Sequence, residues 1–271
     1  MSNTNNIHPS AVIEDSVILG KAISIGPFCH IKGNVKISDG CNIDSHVVIS
    51  GNTEIGENNK IFPFAVIGSD PQDLKFSGEY AKVIIGNNNI IREHVTIHSG
   101  TADGNKSNKL EAVTKIGNNC LFMVGSHIAH DCYIGNNVIL ANNATLAGHV
   151  SVDDYVIVGG LSAVKQFIRI GKHAIIGGMS GVEKDVIPFG LVMGERANLA
   201  GLNLVGLKRR SFPIESIRKL QNMYQSLFKD SSGVFNDRVS DLKSKLDDEN
   251  VASVIEFLES EFSNGICTPN K

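Results

Sequence analysis

An aliphatic residue recurs every six positions from Ile7 to Ile67, eleven times without a miss. Helices repeat about every 3.6 residues and plain strands every two, so neither accounts for this period. The fifth residue of each hexad is usually small or β-branched, as at Ala11, Val17, Cys29, Val35, Cys41, Val47, Thr53 and Ala65. Glycine often follows the aliphatic, as in Leu19-Gly20, Ile25-Gly26, Ile55-Gly56 and Ile67-Gly68. A six-residue repeat with one long and one small inward residue is the signature of a parallel β-helix, each hexad being a short strand plus a corner.

The pattern breaks after Gly68, resumes at Ile85, Ile91 and Ile97, breaks again, and then runs from Ile116 to Val182. Two loops are expected in the gaps, over 69–84 and 99–115. The first carries Pro71 and Gly78, and the second is rich in Gly, Asn and Lys. Three hexads close a triangular coil of 18 residues, which gives roughly nine coils stacked about 4.8 Å apart. Pro188 stands in the next slot and ends the run. The domain reading is therefore a mainly β solenoid over 1–190 and a small helical domain over 191–271. In the latter, Ser211-Phe212-Pro213-Ile214-Glu215 reads as a helix start. Ile214, Ile217, Leu220, Tyr224 and Leu227 follow at helical spacing, and three to four helices are expected. Such an appendage would also cover the open edge of the last coil.

Four of the five cysteines, Cys29, Cys41, Cys120 and Cys132, fall in the small slot of the repeat. They read as core fillers rather than metal ligands or disulfide partners, which favours the cytoplasm. A net charge of −3 gives no global field for nucleic acid. The first residues lack the basic and apolar regions of a secretory signal, and no apolar run is long enough to span a membrane.

Residues 18 apart lie one above another. If the second loop is extruded without adding a strand, His98, His130, Gly148-His149 and Lys165-Gln166 share one side of the solenoid. Adjacent coils then space them along a groove roughly 15 Å long. A solenoid surface is ordinarily repetitive and solvated, so this polar column reads as a site. His130 is the candidate general base, with Asp131 fixing its tautomer. Gly148 offers a backbone N–H at close approach. His46, His94 and His173 sit in other hexads and read as ordinary polar corners. Asn136-Asn137 and Asn142-Asn143 read as corners or stacked amide ladders. Lys208-Arg209-Arg210 is either a solvated helix end or a clamp for phosphate or an acidic partner.

Several stretches carry a resemblance to a known family: Gln72-Asp73-Leu74-Lys75, Val95-Thr96-Ile97-His98, His127-Ile128-Ala129-His130-Asp131-Cys132, Leu140 to His149, and Gly206-Leu207-Lys208-Arg209-Arg210. Over nearly its whole length the chain resembles bacterial acyl-ACP–UDP-N-acetylglucosamine O-acyltransferases, the hexapeptide-repeat enzymes that start lipid A synthesis. The resemblance implies a left-handed parallel β-helix with a small C-terminal α-helical domain, and a homotrimer with sites between subunits. It implies His130 as the base that deprotonates the sugar 3-hydroxyl or 3-amine for attack on a 3-hydroxyacyl thioester. It also gives Asp131 as support for that base and Gly148 as oxyanion donor. Asp73, Lys75, His98, His127, His149, Gln166, Asn203, Arg209 and Arg210 match positions that contact the nucleotide sugar or the acyl-phosphopantetheine. Gly178 falls where the family sets acyl length, and a glycine there leaves room for a longer chain. No metal or cofactor is implied, since phosphopantetheine arrives on the acyl carrier protein. Two departures stand out: the polar stretch Asp103 to Glu111, and Lys165 where a histidine would be expected.

Other readings compete. A zinc hydratase like the γ-class carbonic anhydrases would use His98, His127 and His130 as ligands. An N-acyltransferase acting later in the same pathway would ordinarily carry an extra N-terminal domain. A purely structural solenoid would leave the polar column without a purpose.

Overall fold

Hexads from Asn6 onward each form a strand of two to four residues, and three of them close one turn of a parallel β-helix. This is seen in a computed structural model that describes residues 4–102, 112–230, 233–260 and 264–270. Among the described residues the strands form three sheets of eleven, nine and eight strands, the three faces of the solenoid. Ser24 pairs with Asn42, His30 with Val48 and Ile37 with Ile55, each one coil apart.

The winding is left-handed. Two-residue strands carry little twist, and twist is what drives longer crossovers to the right. The corners turn on residues in the left-handed backbone region. The third residue after the aliphatic adopts it at Phe28, His46, Asn58, His94, Asn137, His149 and His173, with φ between 56° and 61°. Asn, Asp and His tolerate that region better than most side chains. Corner asparagines and histidines therefore have a backbone reason to be there, and His46, His94 and His173 need no other.

Both loops leave from the corner between the second and third faces, and neither replaces a strand. Ile85 pairs with Ile55 across the first loop, and Ile116 with Ile85 across the second. Ile97 stacks on Ile67 below and under Ile128 above, so the aliphatic positions stay aligned through both insertions, with one register shift where Ser69 rather than Gly68 pairs with His98. The strands resume early, at Lys82–Ile85 and Val113–Ile116, because these residues already alternate between surface and core. The polar stretch Asp103 to Glu111 lies outside the described residues.

The core is a column of Ile, Val and Leu with the small slot beside it. Each fully buried Ile contributes about 1.5–3 kcal/mol. Cys29, Cys41, Cys120 and Cys132 are buried there as free thiols, as their slot predicts. Burial pushes the Cys132 thiol up to about 12. Two small slots hold asparagine, Asn59 and Asn89, both fully buried. They form an internal ladder. Asn59 Oδ1 accepts from Asn89 N–H at 2.9 Å, and Asn89 Oδ1 accepts from Cys120 N–H at 2.8 Å. At the corner after the third face a second ladder climbs from Asn87 through Asn118 and Asn136 to Asp154.

The coil does not stop at Pro188. The last coil is two residues short, so Val186 and Val192, rather than Pro188, stack above Ile170 and Ile176. The strand Gly190–Met193 then pairs antiparallel with Asn198–Leu202. That antiparallel strand closes the sheet edge, a task the sequence assigned to helices. Four helices follow among the described residues: α1 (Leu204–Arg209), α2 (Ile214–Tyr224, extended by a π turn), α3 (Phe235–Ser244) and α4 (Glu249–Glu259). Helix α2 buries Ile217, Leu220 and Tyr224, but Ile214 at its start is exposed. Buried Asp185 ties the last coil to α4 through Arg169, whose Nε donates to Asp185 at 2.8 Å and whose Nη1 donates to Ser260 at 2.6 Å.

Candidate active site

The corner between the second and third faces carries the polar column. In strand register, the residues one past the aliphatic are His98, Ala129, Ala147 and Lys165. The residues two past it are His130, Gly148 and Gln166, and those three past it are Asp131, His149 and Phe167. His98 therefore stacks beneath Ala129 rather than beneath His130. Small residues, Ala129, Ala147 and Gly148, stand between His98 below and Lys165 and Gln166 above.

His130 is buried, with its Nδ1 2.9 Å from Asp131 Oδ2. A carboxylate only accepts, so Nδ1 carries the proton and Nε2 presents the lone pair. Nε2 lies over Gly148, close enough that any side chain there would meet it. Asp131 is itself fixed. Thr101 donates its N–H at 3.0 Å to Oδ1 and its hydroxyl at 2.7 Å to Oδ2, and Asp131 N–H donates to Thr114 Oγ1 at 2.9 Å. His149 Nε2 stands 3.8 Å from the same Oδ2, and its ring stacks on Phe167 at 4.5 Å.

His127, on the strand before His130, has its Nδ1 2.7 Å from Thr96 Oγ1. Its ring meets His98 edge-on at 4.9 Å. Burial, with the neighbouring His127 and His130 adding to it, lowers the His98 pKa to about 4. Burial, and then His130, lowers that of His127 as well. Both rings are neutral near pH 7, which suits hydrogen bonding to hydroxyls and amides rather than charge pairing. Buried His98 Nδ1 has no partner among the described residues.

In the first loop, Asp73 Oδ1 accepts from Lys75 N–H at 2.9 Å, forming a tight turn with Leu74 fully exposed at its tip. Gln166 and Arg209 are exposed. Asn203 caps α1: its Oδ1 accepts from Gly206 N–H at 3.0 Å and its Nδ2 donates to His173 O at 2.9 Å. Arg210 donates to Tyr155 O at 3.0 Å and covers the Tyr155 ring. Tyr155 and His173 stand at the corner after the third face, a whole face away from His130. Gly178 stands exposed at the remaining corner, above Gly160. Within one chain, then, Asn203, Arg209, Arg210 and Gly178 are not brought to the histidine column. Thr96, Thr101, Thr114 and Phe167 belong to that column's surroundings without having been singled out in the sequence. The threonines gave no signal, because their roles depend on how the loops leave and rejoin the coil.

The three imidazoles proposed for zinc do not form a ligand set. Among the described residues the one group whose ligand atoms converge, within 4.8 Å, is His130, Asp131 and His149. In that group the carboxylate already takes donors from Thr101 and His130.

Residues 64–99 and 114–148 match the bacterial transferase hexapeptide repeat family, and residues 185–267 match a family described as UDP-N-acetylglucosamine O-acyltransferase, domain 2. The acyl-[acyl-carrier-protein]–UDP-N-acetylglucosamine O-acyltransferase of Rickettsia bellii is 55% identical over all of this chain and 94% of its own length. Its Bartonella bacilliformis counterpart is 47% identical over 99% and 96%. Among solved structures, LpxA from Acinetobacter baumannii superposes with a TM-score of 0.90 at 40% identity, covering 96% of this chain and 99% of that one. The Francisella novicida UDP-N-acetylglucosamine acyltransferase gives 0.90 at 39%, covering 96% and 93%. The chain belongs to the acyl-[acyl-carrier-protein]–UDP-N-acetylglucosamine O-acyltransferase family.

Proposed function

We propose that this protein transfers a 3-hydroxyacyl group from acyl carrier protein to the 3-position of UDP-N-acetylglucosamine, the first step of lipid A synthesis, with His130 as general base. The observation that carries the chemistry is the His130–Asp131 contact at 2.9 Å, which leaves Nε2 as a buried proton acceptor over a side-chain-free Gly148. Nε2 takes the proton of the sugar 3-hydroxyl as its oxygen attacks the thioester carbon. The tetrahedral oxyanion accepts from Gly148 N–H, which donates to nothing else among the described residues. Collapse expels the phosphopantetheine thiolate, which recovers the proton from the imidazolium. Asp131 stabilises that imidazolium while it exists.

The neutral His98 and His127 suit the sugar's hydroxyl and amide groups, with His149 and Gln166 further along the same corner. Asp73 and Lys75 reach the nucleotide sugar from the first loop. The cations that phosphate or pantetheine phosphate requires, Arg209 and Arg210, stand at another corner of this chain with Asn203, and Gly178, proposed to set acyl length, stands at the third. These groups can act together only where two copies meet, which supports a homotrimer with its sites between subunits. Among the described residues no helix is long and apolar enough to cross a membrane. A cytoplasmic enzyme drawing on acyl carrier protein fits this reading.

The test is a competition assay. Wild-type protein is given acyl carrier proteins bearing 3-hydroxyacyl chains of several lengths, with UDP-N-acetylglucosamine and its 3-amino analogue together, and products are identified by mass. An O-acylated product with release of holo-acyl carrier protein is expected. Transfer to the amine alone would reassign the acceptor, and no transfer to either sugar would refute the reading.

A further inference from the structure

We propose that Thr101, at the root of the second loop, is the positioning residue of the His130–Asp131 pair, and that Glu79 of the first loop holds it there. The proposal rests on the reading of His130 as base and adds what keeps that base aimed.

Asp131 follows His130 directly in the chain, and its backbone turns the corner at a φ of 58°. Nothing in that local geometry alone keeps its carboxylate on the His130 ring. What fixes it comes from both ends of the second loop. Thr101, where the chain leaves the coil, gives the carboxylate two donors, N–H and Oγ1, the latter at 2.7 Å on the oxygen that faces His130. Thr114, on the returning strand, accepts the Asp131 N–H at 2.9 Å. The two arms touch at Gly100, where a side chain would run into the Ala112 backbone, so glycine is what lets the root close. Thr101 and Thr114 are both buried.

The first loop completes the arrangement. Glu79 Oε1 accepts the N–H of Ala102, next to Thr101, at 3.2 Å, while its other oxygen accepts Ser77 N–H at 2.8 Å. The loop that carries Asp73 and Lys75 is thereby linked to His130, by hydrogen bonds from Glu79 to Ala102 and from Thr101 through Asp131, joined by the Thr101–Ala102 peptide. A nucleotide sugar that orders the first loop would also steady the base.

The test uses the full-length enzyme in steady-state acyl transfer. Thr101→Val keeps the shape and the N–H but removes the hydroxyl. Its kcat should fall about tenfold, the scale of one hydrogen bond to a charged group, with KM for both substrates within about twofold. Thr101→Ser should recover kcat. In an Asp131→Asn background, Thr101→Val should cost less than about twofold, because the threonine acts through the carboxylate. Full kcat in Thr101→Val, alongside an inactive His130→Ala, would overturn the proposal and leave the base intact. So would an undiminished loss in the Asp131→Asn background. An active His130→Ala would instead refute the underlying reading. Should the valine variant fail to fold, Glu79→Ala on the surface loop carries the same cycle. A several-fold loss of kcat that vanishes with Asp131→Asn supports the proposal, and unchanged kcat contradicts it.

Discussion

Gly148 leaves the space that the His130 ring occupies: a Cβ at position 148 would overlap Cε1 and lie 2.5 Å from Nε2. This glycine has no left-handed backbone to explain it, so the need is for room rather than for a turn. Gly148→Ala is therefore predicted to push the imidazole from its place over position 148. Acyl transfer should fall by about two orders of magnitude, the usual scale of a misplaced general base. Circular dichroism and melting should stay close to wild type. An alanine variant with unimpaired kcat would show that the ring has another position from which to act.

Asn89 is the centre of the interior ladder. Its Oδ1 takes the Cys120 N–H, and its Nδ2 donates to Gly117 O at 3.0 Å. Asn89→Leu fills the same slot but orphans a buried donor, at a cost of about 1–3 kcal/mol, and a part-buried acceptor. The urea midpoint at fixed protein concentration should drop accordingly. An unchanged midpoint would mean that the apolar side chain makes up for the lost bonds.

Stability should depend on pH through His98 and His173, each lowered to about 4 by burial first and then by basic neighbours. For His173 those groups are Arg210 and Lys172. Unfolded histidine titrates near 6.5. Between about 6.5 and 4 the unfolded chain binds protons that the folded chain refuses, so this contribution is lost as pH falls through that window. Above about pH 6.5 it is fully present. Melting temperature should decline steadily between pH 6.5 and 4, and His173→Asn should flatten part of the decline. A wild-type curve that is flat over that range would contradict the account.

The solenoid was legible because its register is written in single residues. Once Ile55, Ile61 and Ile67 are aligned with Ile85, Ile91 and Ile97, the sheets follow. The spacing alone left open whether each loop replaces a strand, and the pairings of Ile85 with Ile55 and of Ile116 with Ile85 decide it for the first and second loops in turn. Pro188 misled because the last coil is short by two residues, a change that periodicity cannot anticipate. His130 stood out because the 18-residue coil places it in a column with His98, His149 and Gln166 on a surface that is otherwise repetitive. Thr101 did not stand out, since its contact with Asp131 exists only once a loop of no fixed period has returned to the coil. Asn203 was singled out through a family likeness, whereas its visible work in this chain is to cap α1 and hold His173 O.

The most direct test of the central claim is the acyl-transfer rate of His130→Ala, measured with 3-hydroxyacyl carrier protein and UDP-N-acetylglucosamine on a variant whose melting curve and oligomer mass match wild type. The account predicts a loss of about 100-fold or more. A rate near that of wild type would show that the proton leaves by another group.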